Sequence, residues 1–449
     1  MKNSGGLQEG WESVRLGDAL TLINGRAFKP SEWLQAGLPI VRIQNLNNPD
    51  APFNYYDGEL PDKFLLSNGE LLFAWSGTPG TSFGAHIWRG KKAWLNQHIF
   101  KVVFDESVFD KRFLQLAINQ NLNEYIRQAH GGAGLAHITK GKFENSELPQ
   151  PSLDVQQEIV AEIEKQFSRL DETVAGLKRI KASLKRYKAA VLKAAVEGKL
   201  TEEWRKVHPN VEPASELLKR IRTERKKKWE EKNPGKKYKE PAAPDTSSLP
   251  ELPEGWVWVS LQQVFETITD ADHQPPPQTE SGIPFLVIGN VRAGKIDYSD
   301  TRFVSRDYFE NIVENRIPRK GDILYTVVGS YGIPVLIDTD NIFCVQRHIA
   351  ILKPMNLVER RYLYNILKSN FVFTQATKCA TGTAQKTVPL SGLRTISIPF
   401  PSSIEQKTIL EELESRLSIA EEIEVAVEIN MKRALSNPTF PIIQANLNN

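Results

Sequence analysis

LPEGWVWVS, residues 252–260, reads as the opening of a domain, yet it stands in the middle of a chain of 449 residues. Nearly the same phrase, LQEGWESVR, occupies residues 7–15, where a domain can open. A shift of 245 residues superposes Glu9-Gly10-Trp11 on Glu254-Gly255-Trp256, and the same shift lays GLPIVRIQN (37–45) on GIPFLVIGN (282–290). A shift of 252 pairs GELLF (69–73) with GDILY (321–325). A shift of 250 pairs LPQP (148–151) with IPFP (398–401), Gln156 with Gln406 and Ile159 with Ile409. Small drifts of this kind are what loop insertions produce. The chain is therefore a tandem duplication with a period near 250 residues, far beyond the roughly 20 to 50 of solenoids and propellers.

Each repeat begins β-rich, since GLPIVRIQN, GIPFLVIGN, GELLFAWSG and GDILYTVVGS are short apolar runs bounded by Gly, Pro and Asn. Apolar residues at mixed three and four spacing predict a helix over 110–128 and another over 359–374, which makes each domain α/β mixed. Trp11 and Trp256 lie beside apolar residues and read as core anchors. Each repeat then ends in a heptad helix. Ile163, Leu170, Leu177, Leu184 and Val191 recur every seven residues, and adding 250 to the first three gives Leu413, Ala420 and Val427. The expected architecture is two repeated α/β mixed domains separated by two long helices that pair as an antiparallel coiled coil. At 1.5 Å per residue the first helix, 154–198, is roughly 65 Å long.

These signals divide the chain into a first domain (1–152), a first long helix (153–204), a basic helix and Pro/Ser-rich linker (205–248), a second domain (249–402), a second helix (403–436) and a tail (437–449). Composition is that of an ordinary globular protein, 40% hydrophobic and 25% charged. No apolar run reaches the 18 or so residues of a membrane span, and the first residues lack a signal-peptide core. A cytoplasmic chain without a membrane segment is the expectation. With only Cys344 and Cys379, thiols supply neither a disulfide framework nor a four-ligand zinc site. The net charge of +3 is unevenly spread: residues 219–239 hold eleven Lys/Arg against three Glu, leaving 3 − 8 = −5 for the rest. That run is open to two readings, phosphate contact or docking to a partner.

Enzymatic signatures are weak. Gly289 to Lys295 matches G-x-x-x-x-G-K, but Ile296 stands where a phosphate-binding loop needs Ser or Thr, so a polar turn is the reading. Ser76 lacks the nucleophile-elbow pattern, and the seven histidines show no ligand spacing, so no metal site is expected. No Asn/Asp-Pro-Pro-aromatic motif for amino methylation is present. His98 and His348 align at a shift of 250, and both read as structural residues of an apolar strand.

Polar turns after the expected strands carry the residue types that read base edges, since Arg donates twice to guanine while Asn or Gln pairs with adenine. The candidate DNA-binding residues in the first domain are Arg26, Lys29, Arg42, Gln44, Asn45, Asn47, Ser76, Thr78 and Lys140. In the second they are His273, Gln274, Asn290, Arg292, Lys295, Ser330, Tyr331, Gln385 and Lys386. Gly329 and Gly332 would supply the bend that presents Ser330 and Tyr331.

Four phrases in order, most of them duplicated, resemble the specificity subunit of type I restriction-modification systems. They are the domain-opening LPEGW, the G-I/L-P…I-x-N strand, the P-x-P…EQ/QQ-x-I start of a long helix, and RYKAAVLKAAVEGKLTEEWR at 186–205. The resemblance implies that two target-recognition domains each read one half of a split sequence in double-stranded DNA. It implies paired helices that hold them apart and dock two methyltransferase subunits, with restriction subunits joining the complex. S-adenosylmethionine, Mg²⁺ and ATP would then belong to those partners, leaving no cofactor on this chain. One departure is that the second helix lacks a counterpart of RYKAAVLKAAVEGKL and runs into ALSNPTFPIIQANLNN, where Pro438 and Pro441 break any helix. A protein-binding adaptor on a coiled-coil spacer is the alternative reading. An enzyme with two diverged sites is a third, and no nucleophile, metal or acid-base set recurs to support it.

Overall fold

The computed structural model describes residues 11–48, 50–78, 81–128, 136–271, 276–292 and 294–435. His273, Gln274 and the Pro438–Pro441 segment lie outside the described residues. The chain forms two compact units, 1–179 with 427–449, and 180–426.

In the first domain a four-stranded antiparallel sheet has the order Leu20–Asn24, Ile99–Phe104, Leu71–Ala74, Gly84–Ile87. A second sheet runs Asn54–Tyr56, Leu38–Val41, Ala93–Leu95, Leu65–Leu66, with a parallel pair at its centre. Strand Glu12–Arg15, which follows the EGW phrase, pairs with Glu147–Gln150, so the two ends of the domain meet. The second domain repeats this plan. Its main sheet is Phe265–Asp270, Ile349–Pro354, Ile323–Thr326, Pro334–Leu336. A three-stranded sheet around Ile283–Leu286 keeps the parallel pair, and Val257–Ser260 closes on Ser397–Phe400.

The repeated G-E/D phrase now has a cause. Gly69 and Gly321 both adopt φ +88°, a left-handed turn that favours glycine, and the acid that follows each takes a partly buried lysine. Lys101 pairs with Glu70 at 2.5 Å and donates to Leu65 O, while Lys353 pairs with Asp322 at 2.7 Å and donates to Ile317 O. The two lysines sit at different registers of their strands and reach equivalent partners.

Helical segments differ from expectation in two places. Residues 110–128 form two helices, Lys111–Gln120 and Leu122–Gln128, and residues 359–379 form Arg360–Leu367 and Asn370–Cys379. The second break has a local reason, because the Ser369 side chain accepts from Val372 N and caps a new helix. The basic helix expected around residues 215–231 is present, and it is packed against the domain where a charge run is usually solvated. Helix Ala214–Lys232 buries Ala214, Leu217, Leu218 and Ile221 in the core that also contains Val259, Phe265 and Met355. Further along the helix Arg225 donates to Phe265 O at 2.6 Å and Lys232 reaches Glu266 at 2.9 Å, and beyond the helix Ala242 O accepts from Ser260. The segment is a folded strap on the second domain, because its apolar residues outweigh its charge in deciding where it lies.

The long helices are Leu153–Val196, of 44 residues, and Ser403–Leu435, of 33. Leu184, Val191, Leu413, Ala420 and Val427 are buried, whereas Ile163, Leu170 and Leu177 are half-buried. Within residues 180–426 the pairing is antiparallel: Lys188 meets Glu424, and further along the first helix Ala195 and Val196 share a core with Ile409 and Leu413. Among the described residues no helix is long and apolar enough to cross a membrane.

Each long helix is clamped to its domain by the glutamine that the duplication preserves. Gln156 Oε1 accepts from Asp110 N at 2.8 Å, while its Nε2 donates to Val108 O and Pro151 O, both at 2.9 Å. Gln406 Oε1 accepts from Glu359 N at 3.2 Å, and Nε2 donates to Pro401 O at 3.0 Å. Neighbouring Glu405 is buried and accepts from Thr201 Oγ1 (2.6 Å), Arg205 Nη1 (2.5 Å) and Trp256 Nε1 (2.7 Å). Trp256 is thus the core anchor expected of it, whereas Trp11 is only half-buried.

Replacing Gln156 or Gln406 by Ala strands several buried backbone groups, which costs about 1–3 kcal/mol per site. The two losses should add, since the sites share no partner. Urea unfolding of the single and double variants checks this, and unchanged midpoints would remove the clamp from the account.

Candidate nucleic-acid interface

The same end of the main sheet carries the variable loops in both domains. In the first domain Asn24 is opposite Phe100 and Ala74 opposite Ile99, so the segments after residues 24 and 74 and before residue 99 converge. In the second, Asp270 faces Ala350 and Thr326 faces Ile349. The turn before the central strand is built identically. Ile99 N donates to Asn96 O (3.2 Å) and Ile349 N to Gln346 O (2.9 Å), while Asn96 N donates to Val41 O and Gln346 N to Leu286 O.

At this end of the first domain, Trp75 lies 5.3 Å from His98 and 4.6 Å from His137, measured between ring centroids. Gln97 Nε2 is 3.2 Å from His98 Nε2. Burial, then the neighbouring charges of His137 and Arg42, lower the His98 pKa, which keeps the ring neutral around neutral pH. Trp75 Nε1 and His98 Nδ1 are buried with no hydrogen-bond partner among the described residues.

The second domain gathers a different set. Val327 N donates to His348 O, Val328 bridges Thr387, and Gly329 N donates to Lys386 O at 2.9 Å. Exposed Ser330, Gln385 and Lys386 are thereby brought together beside Arg347 and His348. Gly329 and Gly332 have φ of +67° and +88°, as a bend there requires. Burial, then the charge of Arg347, lowers the His348 pKa.

Several residues chosen from sequence prove to be framework. Asn45 and Asn290, each 4% exposed, occupy equivalent positions and do the same work. Asn45 Oδ1 accepts from Arg42 N and its Nδ2 donates to Ala51 O; Asn290 Oδ1 accepts from Val287 N and its Nδ2 donates to Asp297 O. Both side chains close a turn and face no ligand. Ser76 is buried in the two-residue strand that pairs with Ala136–His137. Arg26 binds Glu32 and lies over the Phe28 and Tyr56 rings, and Arg42 donates to Asn54 over the Trp33 ring. The Tyr331 hydroxyl donates to Thr377 Oγ1 at 3.1 Å, and its ring stacks on Phe373.

Six other candidates lie on the surface. Lys29, Gln44, Thr78, Arg292, Lys295 and Lys140 are exposed, although Gln44 donates to Pro52 O, Arg292 to Gly289 O and Lys140 to Leu22 O. Asn47 ends the short helix Ile43–Asn47. Val291–Arg292 pairs antiparallel with Lys295–Ile296, and among the described residues no helix follows directly on the second strand, which supports the polar-turn reading over a phosphate-binding loop. Missed from sequence were Trp75, Gln97, His137 and Arg347. His98 and His348 were noticed but placed in the strand, whereas they occupy the turn before it. No group of three or more His, Cys, Asp or Glu among the described residues could hold a metal. A cavity of about 880 Å³ in the first domain, walled by Phe53, Tyr55 and Trp88, is rimmed by Arg89, Lys91 and Lys92; Asp338 and Asp340 stand at the matching places of the second domain.

The model of the type I restriction modification DNA specificity domain matches this chain twice, over residues 8–186 and 253–429. The chain belongs to this family. The matches begin 253 − 8 = 245 residues apart, the shift set by the two domain openings, and each includes a target-recognition domain with most of its long helix. The chain is 25% identical to the type I restriction enzyme EcoBI specificity subunit of Escherichia coli over 97% of its own length and 85% of that protein's. It is also 25% identical to the MjaVIII specificity subunit of Methanocaldococcus jannaschii, over 91% and 86%. Among solved structures, the HsdS subunit from Thermoanaerobacter tengcongensis shares the fold, with a TM-score of 0.59 and 18% identity over 99% of each chain.

Asn45→Ala and Asn290→Ala should each cost about 1–3 kcal/mol in urea unfolding, because a buried turn loses its partners, while Lys29→Ala and Lys295→Ala stay within about 0.5 kcal/mol. His86 supplies a pH test. Its Nε2 donates to Ser82 O, and burial depresses its pKa to about 4. Between pH 6.5 and about 4 the unfolded chain binds a proton that the folded chain refuses, so this residue's contribution falls as pH drops, by about 1.4 kcal/mol per pH unit. The difference between wild-type and His86→Gln stability across that window should carry this slope; a parallel pair of curves refutes it.

Proposed function

We propose that this chain is the non-catalytic recognition subunit of a type I restriction-modification complex, each domain reading one half of a gapped target in double-stranded DNA. The long helices would dock two methyltransferase subunits, and restriction subunits would complete the assembly. S-adenosylmethionine, Mg²⁺ and ATP are assigned to those partners, and the complex to the cytoplasm. The observation that carries the reading is one scaffold used twice with different loop tips. The turns at 96–99 and 346–349 share their backbone bonds, but the side chains around them differ: Trp75 and Gln97 in one domain, Val327 and Arg347 in the other. A common scaffold with divergent tips suits two readers of two different half-sites. The first long helix, at about 66 Å for its 44 residues, matches about two duplex turns of roughly 34 Å.

The strap over residues 214–232 adjoins the start of strand Phe265–Asp270, the opposite end of the sheet from the variable loops. That position favours docking over base reading for the basic run.

Mapping methylated positions across the genome of a host that expresses the chain with its methyltransferase partner should reveal one gapped motif; complete absence of such a motif would defeat the proposal. Exchanging residues 214–400, the strap together with its domain, for the equivalent segment of a relative should change one half-site and spare the other. Duplex DNA titrated at several salt concentrations should show a steep slope of log affinity against log salt, whereas a protein-binding adaptor shows none.

A further inference from the structure

Gln97 and Arg347 occupy the same place in the two domains, the second residue of the four-residue turn that enters the central strand. The backbone beneath them is matched. The turns close through the bonds from Ile99 and Ile349, and they are tied sideways to Val41 and Leu286, which a shift of 245 superposes. The next residue is a histidine in both, His98 and His348, each half-buried and lowered in pKa chiefly by burial. The bracing asparagines Asn45 and Asn290 stand after the strands that contain Val41 and Leu286. Against this constancy one exposed or half-exposed position changes chemical class, from an amide to a guanidinium. A framework that holds a backbone position fixed while its side chain varies is what selective reading of a base edge requires. In the major groove a glutamine pairs twice with adenine, and an arginine donates twice to guanine.

We propose that Gln97 and Arg347 are specificity-determining residues of their domains, Gln97 selecting an adenine in one half-site and Arg347 a guanine in the other. The inference rests on the function proposed above. Trp75, against His98, floors the first reader, and the smaller Val327 stands in its place in the second. The two readers therefore differ in depth as well as in hydrogen-bonding pattern.

The test uses the assembled complex and genome-wide mapping of methylated sites, with duplex binding measured in parallel. Gln97→Arg should replace one adenine by guanine in a single half of the motif, and Arg347→Gln should replace one guanine by adenine in the other half. Affinity for the original base at that position should fall roughly 5- to 150-fold, the discrimination of a bidentate pair. Should either exchange inactivate the complex, Gln97→Ala or Arg347→Ala should accept any base at the affected position. An unchanged motif in these variants overturns the assignment. So does uniform weakening on all sequences with a salt slope reduced by about one, which is the mark of a phosphate contact. Loss of all methylation in an alanine variant that unfolds like wild type also overturns it. A wild-type complex with no gapped motif would refute the proposed function itself, and this inference with it.

Discussion

A buried carboxylate, that of Glu405, fixes where the second domain meets its helices. It takes hydrogen bonds from the turn after the first long helix, through Thr201 and Arg205, and from the tryptophan that opens the domain. Taking a carboxylate out of water is costly unless donors surround it, and removing one partner of such a pair typically costs about 3–5 kcal/mol. The donors come from two segments, 201–205 and Trp256, about 50 residues apart in sequence and far from Glu405, so the bonds form only when both helices and the domain are in place. The glutamine next in sequence performs the simpler part of this task in both domains, binding the loop before a helix to the backbone beneath it.

The repeated words of the sequence turn out to be those that hold backbone. Gly69 and Gly321, Gln156 and Gln406, and Asn45 and Asn290 all recur because a turn or a buried amide needs that residue type at that place. Domain order, heptads and strand positions were legible for this reason. Their role was less so. Asn45 and Asn290 look like surface readers in sequence, since a polar residue after a strand has the same spelling whether it closes a turn or meets solvent. Gln97 and Arg347 carry no spelling at all: a turn tip tolerates almost any residue, and their only signal was the alignment of the histidines beside them.

Two further misreadings have a common origin in local averaging. The basic run from residue 219 hid the burial of Leu217, Leu218 and Ile221, because eleven cations dominate any window that includes them. The single helix expected over 359–374 concealed a serine cap whose hydroxyl competes with the helix for Val372 N. In both cases tertiary packing selects between local options that composition leaves equal.

The folded strap also sets the natural boundary of the second domain as a transferable module. Its apolar face lies against Val259 and Phe265, and Arg225 is held by backbone carbonyls of 265 and 266, so a reader cut out at residue 260 leaves part of its own core behind. Shuffling between relatives is then easiest with a crossover upstream of Ala214, at the end of the first long helix, where strap and reader travel as one piece. The opening strand of each domain pairs with that domain's own last strand, so it is the strap that moves the second domain's junction upstream. Recombination would therefore treat the two halves of the target as alleles with junctions of unequal length.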